Sequence, residues 1–243
     1  MPTYPGLQHT TWVGGYDFTG DSNKTGMKIT YQPLDRTVYG NTARNRLAGL
    51  ELDESAVDGF WDGAVGAVDP VTFAALTTTQ PVSQSVDGTL GSVVYFYQGK
   101  TFEYKIFDKV GEIVPFSLAA SSARTPSMGS VGAVRGQVAA IKQTVSATGA
   151  VGAGVELAAA SSAQFLYGAL HVYSVGTTVT AVLESDDNSG FTTATTRATL
   201  GPITAVGGTW ATRVAGPITD TYYRYRVTAI TGSFIVAGVV GIK

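Results

Sequence analysis

The sequence predicts an all-β fold with one short helix: a β-sandwich or small barrel, followed by a second antiparallel β-sandwich. Runs rich in β-branched and aromatic residues recur along the chain, and glycine-containing turns separate them at short intervals. A helical pattern occurs at one place only. The length of 243 residues suits one large β domain or two smaller ones.

The longest predicted element is a hairpin over residues 28–61. It consists of two strands joined at the polar turn Tyr39-Gly40-Asn41-Thr42. Strands in globular proteins are usually about five or six residues long, so we expect the tip to project beyond the domain that makes it. A projecting hairpin allows one subunit to reach a neighbour, and assembly is therefore the first functional hypothesis.

The remainder of the first unit, residues 1–125, contains the one predicted helix, over residues 69–78. Asp69 would cap this helix, and Pro70 would occupy its first position, where a missing N–H costs nothing. Strands are predicted at Val93–Tyr97, Thr101–Phe107 and Ile113–Ala119. The first unit is thus a β domain with a short helix against its core.

The pattern lapses over residues 126–138, where serine, glycine and proline predict a linker. Eight short strands with turns between them are predicted over residues 139–243, together with no helix, which is typical of an antiparallel sandwich. We expect this second unit to be a separate domain.

Charge and composition exclude several functions. The net charge is −2, but residues 1–122 carry −5 and residues 123–243 carry +3. Neither value supports tight nucleic-acid binding, which needs clustered Lys and Arg. There are no cysteines, so no disulfide or thiolate metal site is expected. No apolar run is long enough to span a membrane, and the N-terminus has no signal-peptide pattern.

Catalytic motifs are not found. His9 and His171 lie in different halves, and His171 stands within an apolar strand, where a structural histidine is the expected role. The segment Asp186–Gly190 lacks the ligand spacing of an EF-hand and is interpreted as a polar turn. No enzyme activity, cofactor or metal is expected.

The acidic residues Glu51, Asp53, Glu54, Asp58 and Asp62 follow one another along the returning strand of the hairpin and past its end. A glycosidase pair would have to face each other across a groove, whereas neighbours on one strand do not. We expect a solvated acidic face. Aromatic residues such as Tyr95 and Phe102 alternate along strands, so they are expected to fill the core and an interface rather than form a ligand platform.

The ordered segments resemble the major tail proteins of long, non-contractile-tailed bacteriophages. The resemblance rests on the turn at Asp17–Asp21, the hairpin pattern TVYGNTARNRLAGL at residues 37–50, and the closing Gly59–Trp61. It continues in DPVTFAAL at residues 69–76, VGEIVPFSL at 110–118, SDDNSGF at 185–191, AGPITDTYYRYRV at 215–227 and FIVAGVVGI at 234–242. It covers most of the chain and is weakest over residues 123–160.

This resemblance implies a tail-tube-type fold and a virion role. Six copies would form a ring, and stacked rings would form a tube through which DNA leaves the capsid. The hairpin would contact neighbouring subunits around Tyr39, Asn41, Arg44, Asn45 and Arg46, and the acidic residues Glu51, Asp53 and Glu54 would face the lumen. Double-stranded DNA would pass without specific binding.

The implied partners are other copies of the chain and further tail proteins, namely the tape measure, the tail terminator and the baseplate or tip. The implied location is the virion tail, and the host cytoplasm during assembly. The second unit would decorate the outside of the tube; if it were a second tube-like domain instead, three chains would complete a six-fold ring. A capsid decoration protein or a receptor- or carbohydrate-binding tail component remains the alternative.

Overall fold

A computed structural model describes residues 9–39, 42–107, 113–123 and 132–243. Within these residues it contains sixteen strands and one seven-residue helix, which confirms the predicted all-β fold with a single short helix. The strands of the first half are β1 (Thr10–Val13), β2 (Tyr16–Asp17), β3 (Ser22–Asp35), β4 (Arg46–Phe60), β5 (Thr79–Ser85), β6 (Val93–Ile106) and β7 (Pro115–Ser122). The strands of the second half are β8 (Val134–Val145), β9 (Gly149–Glu156), β10 (Phe165–Ser174), β11 (Thr178–Asp186), β12 (Thr195–Ile203), β13 (Gly207–Trp210), β14 (Val214–Ala215), β15 (Tyr222–Thr231) and β16 (Phe234–Ile242). The helix is α1 (Val68–Ala74).

The described strands form two antiparallel sheets. The larger has twelve strands, with the path β13-β10-β16-β8-β6-β5-β1-β2; β7 joins it through β6, β4 through β7, β3 through β4, and β14 through β10. The smaller has the order β12-β11-β15-β9. The larger sheet therefore contains strands from both halves of the chain.

The core of the first half lies between β4, β6, β7 and the helix. Alternation along β7 places Phe116, Leu118 and Ala120 inward, where they pack with Tyr97 of β6 and Val68 of α1. Residues of a strand point alternately to opposite faces, so one β7 face makes this core. The hairpin is thereby anchored at its base, because β4 pairs with β7.

The second half forms the predicted antiparallel sandwich. One layer is the four-stranded sheet, and the other consists of β8, β10 and β16 of the large sheet. Their facing side chains form one buried cluster, which includes Leu170, Leu183, Tyr225 and Val236. The division into units at residues 1–125 and 139–243 stays a prediction, since the second layer continues the sheet of the first half.

The predicted linker over residues 126–138 is wrong at its C-terminal end. Residues 126–131 lie outside the described residues, but Val134–Val138 belong to β8, where Val134 and Val138 are fully buried. Gly136, which contributed to the linker prediction, is required by strand packing instead. A Cβ on Gly136 would lie 2.0 Å from the carbonyl oxygen of Val240. Gly136 permits the close approach of β8 and β16.

The helix is also shorter than predicted. It ends at Ala74 instead of residue 78, and Thr77, with a φ of 63°, has left the helical conformation. Its N-cap is Ala67, which provides no side-chain hydrogen bond. Asp69 does not cap the helix, because it lies inside the first turn and accepts a hydrogen bond from the Tyr104 hydroxyl at 3.0 Å.

Candidate assembly surface

The β3–β4 hairpin continues past the strands that anchor it. β3 and β4 pair along their length, whereas β4 pairs with β7 only over Glu54–Phe60. The described residues 29–39 and 42–53, called the arm below, have no further described strand beside them. The rise per residue of a strand gives the returning strand a length of about 23 Å between Asp53 and Arg46.

Both edges of the arm carry backbone groups that no described strand pairs. Exposed edges of this kind readily pair with a strand of another chain. A register shift between Tyr31 and Pro33 marks a bulge, which bends the two-stranded ribbon. Since an isolated two-stranded hairpin is only marginally stable in water, the arm is suited to being covered by a neighbour.

The arm also exposes large apolar side chains. Seven of them are 43–81 % exposed: Ile29, Tyr31, Leu34, Val38, Leu47, Leu50 and Leu52. Leu34 lies directly opposite Leu47 across the two strands, so both project from the same face. Fully burying one such side chain gains about 1.5–3 kcal/mol. An apolar ribbon of this size favours a protein interface.

The predicted contact residues lie near the tip of the arm. Tyr39 is fully exposed, and Arg44, Asn45 and Arg46 are exposed as well. Neither arginine side chain forms an ion pair with a described residue. Asn41 lies outside the described residues. The interface role of these residues stays a prediction.

Hydrogen bonds hold the strands together just below the tip. The Thr37 N–H donates to Asp35 Oδ1 at 2.8 Å, and the Asn45 N–H donates to Thr37 Oγ1 at 3.1 Å. The Thr37 hydroxyl and N–H lower the pKa of the Asp35 carboxyl, because they stabilise its charged form. Arg44 and Arg46 therefore lie next to a hydrogen-bonded part of the hairpin.

The prediction of a solvated acidic face is wrong for Asp53. Its side chain is fully buried, whereas Glu51 and Glu54 are partly exposed. Glu54 Oε2 lies 3.5 Å from Lys28 Nζ, and Glu51 Oε2 lies 3.0 Å from Lys243 Nζ. Gly132 covers this part of the strand so closely that a Cβ on it would meet the Glu51 carboxylate.

His171 is a buried residue that contacts two segments of the first half. His171 is fully buried, with Nδ1 2.8 Å from the Gly14 carbonyl oxygen and Nε2 2.8 Å from Ser83 Oγ. Burial lowers its pKa to about 4, so the ring is neutral near pH 7. His171 therefore joins the two halves as a structural residue, as the sequence predicts.

Within the described ranges, no group of three or more His, Cys, Asp or Glu residues is placed to hold a metal ion. No helix in the same part of the chain is long and apolar enough to cross a membrane. The Asp186–Gly190 segment is a turn, in which Asp186 accepts hydrogen bonds from the N–H groups of Asn188 and Thr193.

The aromatic residues divide between core and surface, although not by strict alternation, because the neighbours Phe96 and Tyr97 are buried in two different clusters. Phe96 and Tyr97 are buried, while Tyr95, Phe102 and Phe107 are exposed to different extents. The exposed rings do not line up as a stacking platform along one strand, because residues 95 and 102 lie on separate parts of β6.

The structure also contains a cleft that no sequence motif predicts. A cleft of about 830 Å³ lies between α1 and the segment that connects β12 with β13. Its walls include Pro70 and Ala74 on one side and Pro202, Thr204 and Thr209 on the other. These residues are far apart in the sequence, and none of the described residues that line the cleft is charged.

No protein-family model matches the sequence, and no curated protein matches it. Solved structures resemble the chain at low sequence identity. A chain from the virion of a native gene transfer agent particle is 12% identical, with 51% of this chain and 96% of that chain covered and a TM-score of 0.40. A chain from the C6-symmetric tail of an empty gene transfer agent particle is 14% identical, with 51% and 96% covered and a TM-score of 0.39.

A third solved structure covers nearly the whole chain. It is the Dit protein of phage SPP1, described as a hub of the adsorption apparatus in phages that infect Gram-positive bacteria. It is 15% identical, with 96% of this chain and 98% of that chain covered and a TM-score of 0.37. All three structures are virion, tail or adsorption-apparatus components. At these identities and TM-scores, the likeness assigns neither a family nor a function to this chain.

Proposed function

We propose that the chain is a structural subunit of a phage tail that polymerises as stacked six-membered rings and so forms the tail tube. The observation that carries this proposal is the arm, which has open edges and unburied leucines on a ribbon that is otherwise only marginally stable. The ordered sequence resemblance to major tail proteins points to the same role. Contacts of this head-to-tail kind give closed rings when the rotation between copies closes.

The proposal assigns different roles to the two halves. Residues 1–125 would build the ring and carry the arm, and residues 139–243 would face outward as a decoration. The net charges of −5 and +3 suit this arrangement, because a basic half is poorly suited to line a DNA channel. Glu51 and Glu54 remain the candidates for the channel surface, whereas the buried Asp53 does not.

The partners follow from the assembly. The chain would bind other copies of itself and the tail proteins that begin, measure and end the tube. Double-stranded DNA would pass without specific binding. The Ser83–His171 contact is fully buried and therefore out of reach of a substrate, which favours a non-enzymatic role.

Electron microscopy of the purified protein tests the proposal. Negatively stained samples at rising protein concentration should contain tubes or stacked rings with a central channel. Monomers at every concentration tested, or lattice-forming trimers, would contradict the tube.

A further inference from the structure

The carboxylate of Asp53 is an exception to the rule that buried charges are paired. The side chain is 0 % exposed. The backbone N–H of Ala133 stabilises the carboxylate, but no hydrogen bond of normal geometry reaches Oδ1 or Oδ2 from a described residue. A buried carboxylate in this state stores unfavourable free energy in the folded protein.

The groups around Asp53 do not neutralise it. Glu51 lies two residues earlier on the same face of β4, and Glu54 follows directly on the same strand. Lys243 is the described cation whose charge acts on Asp53, and its Nζ donates to Glu51 Oε1 at 3.1 Å, to Glu51 Oε2 at 3.0 Å and to the Ala133 carbonyl oxygen at 2.9 Å. Its hydrogen bonds are therefore used by other acceptors.

Two tyrosines complete the surroundings among the described residues. Tyr31 of β3 lies opposite Glu51 and interacts with its carboxylate, and Tyr97 of β6 lies near Asp53. The hydrogen bond to Glu51 is the main reason that the pKa of Tyr31 is raised, and burial and the charges of Glu51 and Asp53 raise it further. Burial raises the pKa of Tyr97 above its usual value, so both rings are neutral near pH 7. The carboxylates of Glu51 and Asp53 therefore have the ammonium group of Lys243 between them.

Burial is the main reason that the pKa of Asp53 rises to about 6, and the charge of Glu51 raises it further. The Ala133 N–H and Lys243 act in the opposite direction, but less strongly. The group therefore changes charge in a pH range where ordinary aspartates stay ionised.

Asp53 occupies the junction between the arm and the sheet. Glu54 is the last β4 residue that pairs with β7, opposite Ser121. The Asp53 N–H instead donates to the side-chain oxygen of Ser122 at 3.2 Å. A change at this carboxylate acts where the arm leaves its anchor.

We propose that Asp53 is a proton-operated latch for the arm. When Asp53 takes up one proton from solvent, the uncompensated negative charge disappears, and the root of the arm closes more tightly on Gly132 and Ala133. When it releases the proton, repulsion from Glu51 loosens the root. The latch is a property of the single chain and does not depend on the proposed tube.

The direction of the pH effect on stability follows from the difference between the folded-state and unfolded-state pKa of Asp53. The folded-state pKa lies above the unfolded value, so the ionised carboxylate destabilises the arm root above about pH 6. This destabilisation disappears as the pH falls through that value towards the usual aspartate range. His171 acts with the opposite sign, because its pKa is lowered to about 4. Because the two effects oppose each other in the stability of the whole protein, the test compares local hydrogen exchange between variants and between regions of the chain.

Amide hydrogen exchange of residues 46–56, corrected for the intrinsic effect of pH, measures the latch. In the wild-type chain, we expect exchange there to slow by at least about tenfold between pH 7.5 and pH 5. The Asp53→Asn variant, which keeps the shape without the charge, should already exchange slowly at pH 7.5 and change little. Asp58→Asn is the matched control, since Asp58 lies on the same strand but pairs with Lys24 at the surface, and it should behave like wild type.

Two results would overturn the latch. One is an Asp53→Asn variant with the same pH dependence as wild type or with faster exchange at pH 7.5. The other applies even if that variant does not fold: a wild-type pH effect of equal size in the arm root and in the four-stranded sheet would show that no local latch exists.

Discussion

The Nε2 atom of His171 lies 2.8 Å from the side-chain oxygen of Ser83, which joins a strand of the second half of the chain to a strand of the first. The contact is fully buried, and the other ring nitrogen meets the Gly14 carbonyl oxygen. A nearby buried cluster also mixes the halves, with Trp12 and Phe96 packed near Tyr167 and Ala237. The two halves are therefore coupled through one interior.

This coupling predicts that the halves unfold together. His171→Ala should lower the free energy of unfolding by about 2–4 kcal/mol, because it leaves a cavity and unpaired polar groups. Denaturant unfolding should show one transition for wild type. In a double-mutant cycle with Ser83→Ala, the two losses should not add, since both variants break the same contact. Additive losses, or two separate transitions, would contradict the coupling.

A second prediction concerns Glu184, a buried carboxylate on the outer face of the four-stranded sheet. Its oxygens accept hydrogen bonds from Arg224 Nε at 2.6 Å and Arg226 Nε at 2.7 Å. Glu184→Gln should cost about 1–3 kcal/mol in unfolding free energy, towards the lower end because Arg226 is partly exposed. Glu156→Gln, an exposed change on neighbouring β9, should cost little. Equal effects in thermal or denaturant unfolding would show that the buried pairs contribute nothing.

A third prediction concerns the apolar ribbon. Leu47→Ser with Leu50→Ser should reduce association strongly, because these exposed side chains are the ones proposed to be buried between copies. The melting temperature of the monomer should hardly change, since neither side chain packs in the core. Val65→Ser is the control, because Val65 is fully exposed outside the arm. Sedimentation velocity over a concentration series checks both outcomes, and undiminished association of the double variant would argue against the ribbon.

A fourth prediction concerns the tip. Replacing Arg44 and Arg46 by glutamate should leave the monomer folded but block polymerisation, because both side chains are exposed and form no ion pair with a described residue. Circular dichroism reports the fold, and light scattering reports polymerisation. Arg135→Glu, at an exposed position on β8, should polymerise like wild type. Normal tubes from the double variant would remove the tip from the interface.

Local patterns were sufficient for some elements and not for others. The two paired strands of the hairpin were predictable because strand length and residue pattern are local signals, and the alternation in β7 similarly identifies a core face. The burial of Asp53 was not predictable, because Gly132, Ala133 and Lys243 come from distant parts of the sequence. The start of β8 was misread since Gly136 serves strand packing, and the helix end was misread since Thr77 leaves the helical conformation.

The accessibility of one introduced thiol tests the central claim most directly. The natural chain has no cysteine, so Leu50→Cys places a single reactive group on the arm, and Val65→Cys places one outside it. Maleimide labelling should modify both thiols rapidly in the monomer. In assembled material, the account predicts that labelling at position 50 becomes much slower while labelling at position 65 stays fast. Equal labelling rates at position 50 in monomer and assembly would contradict the burial of the arm between copies.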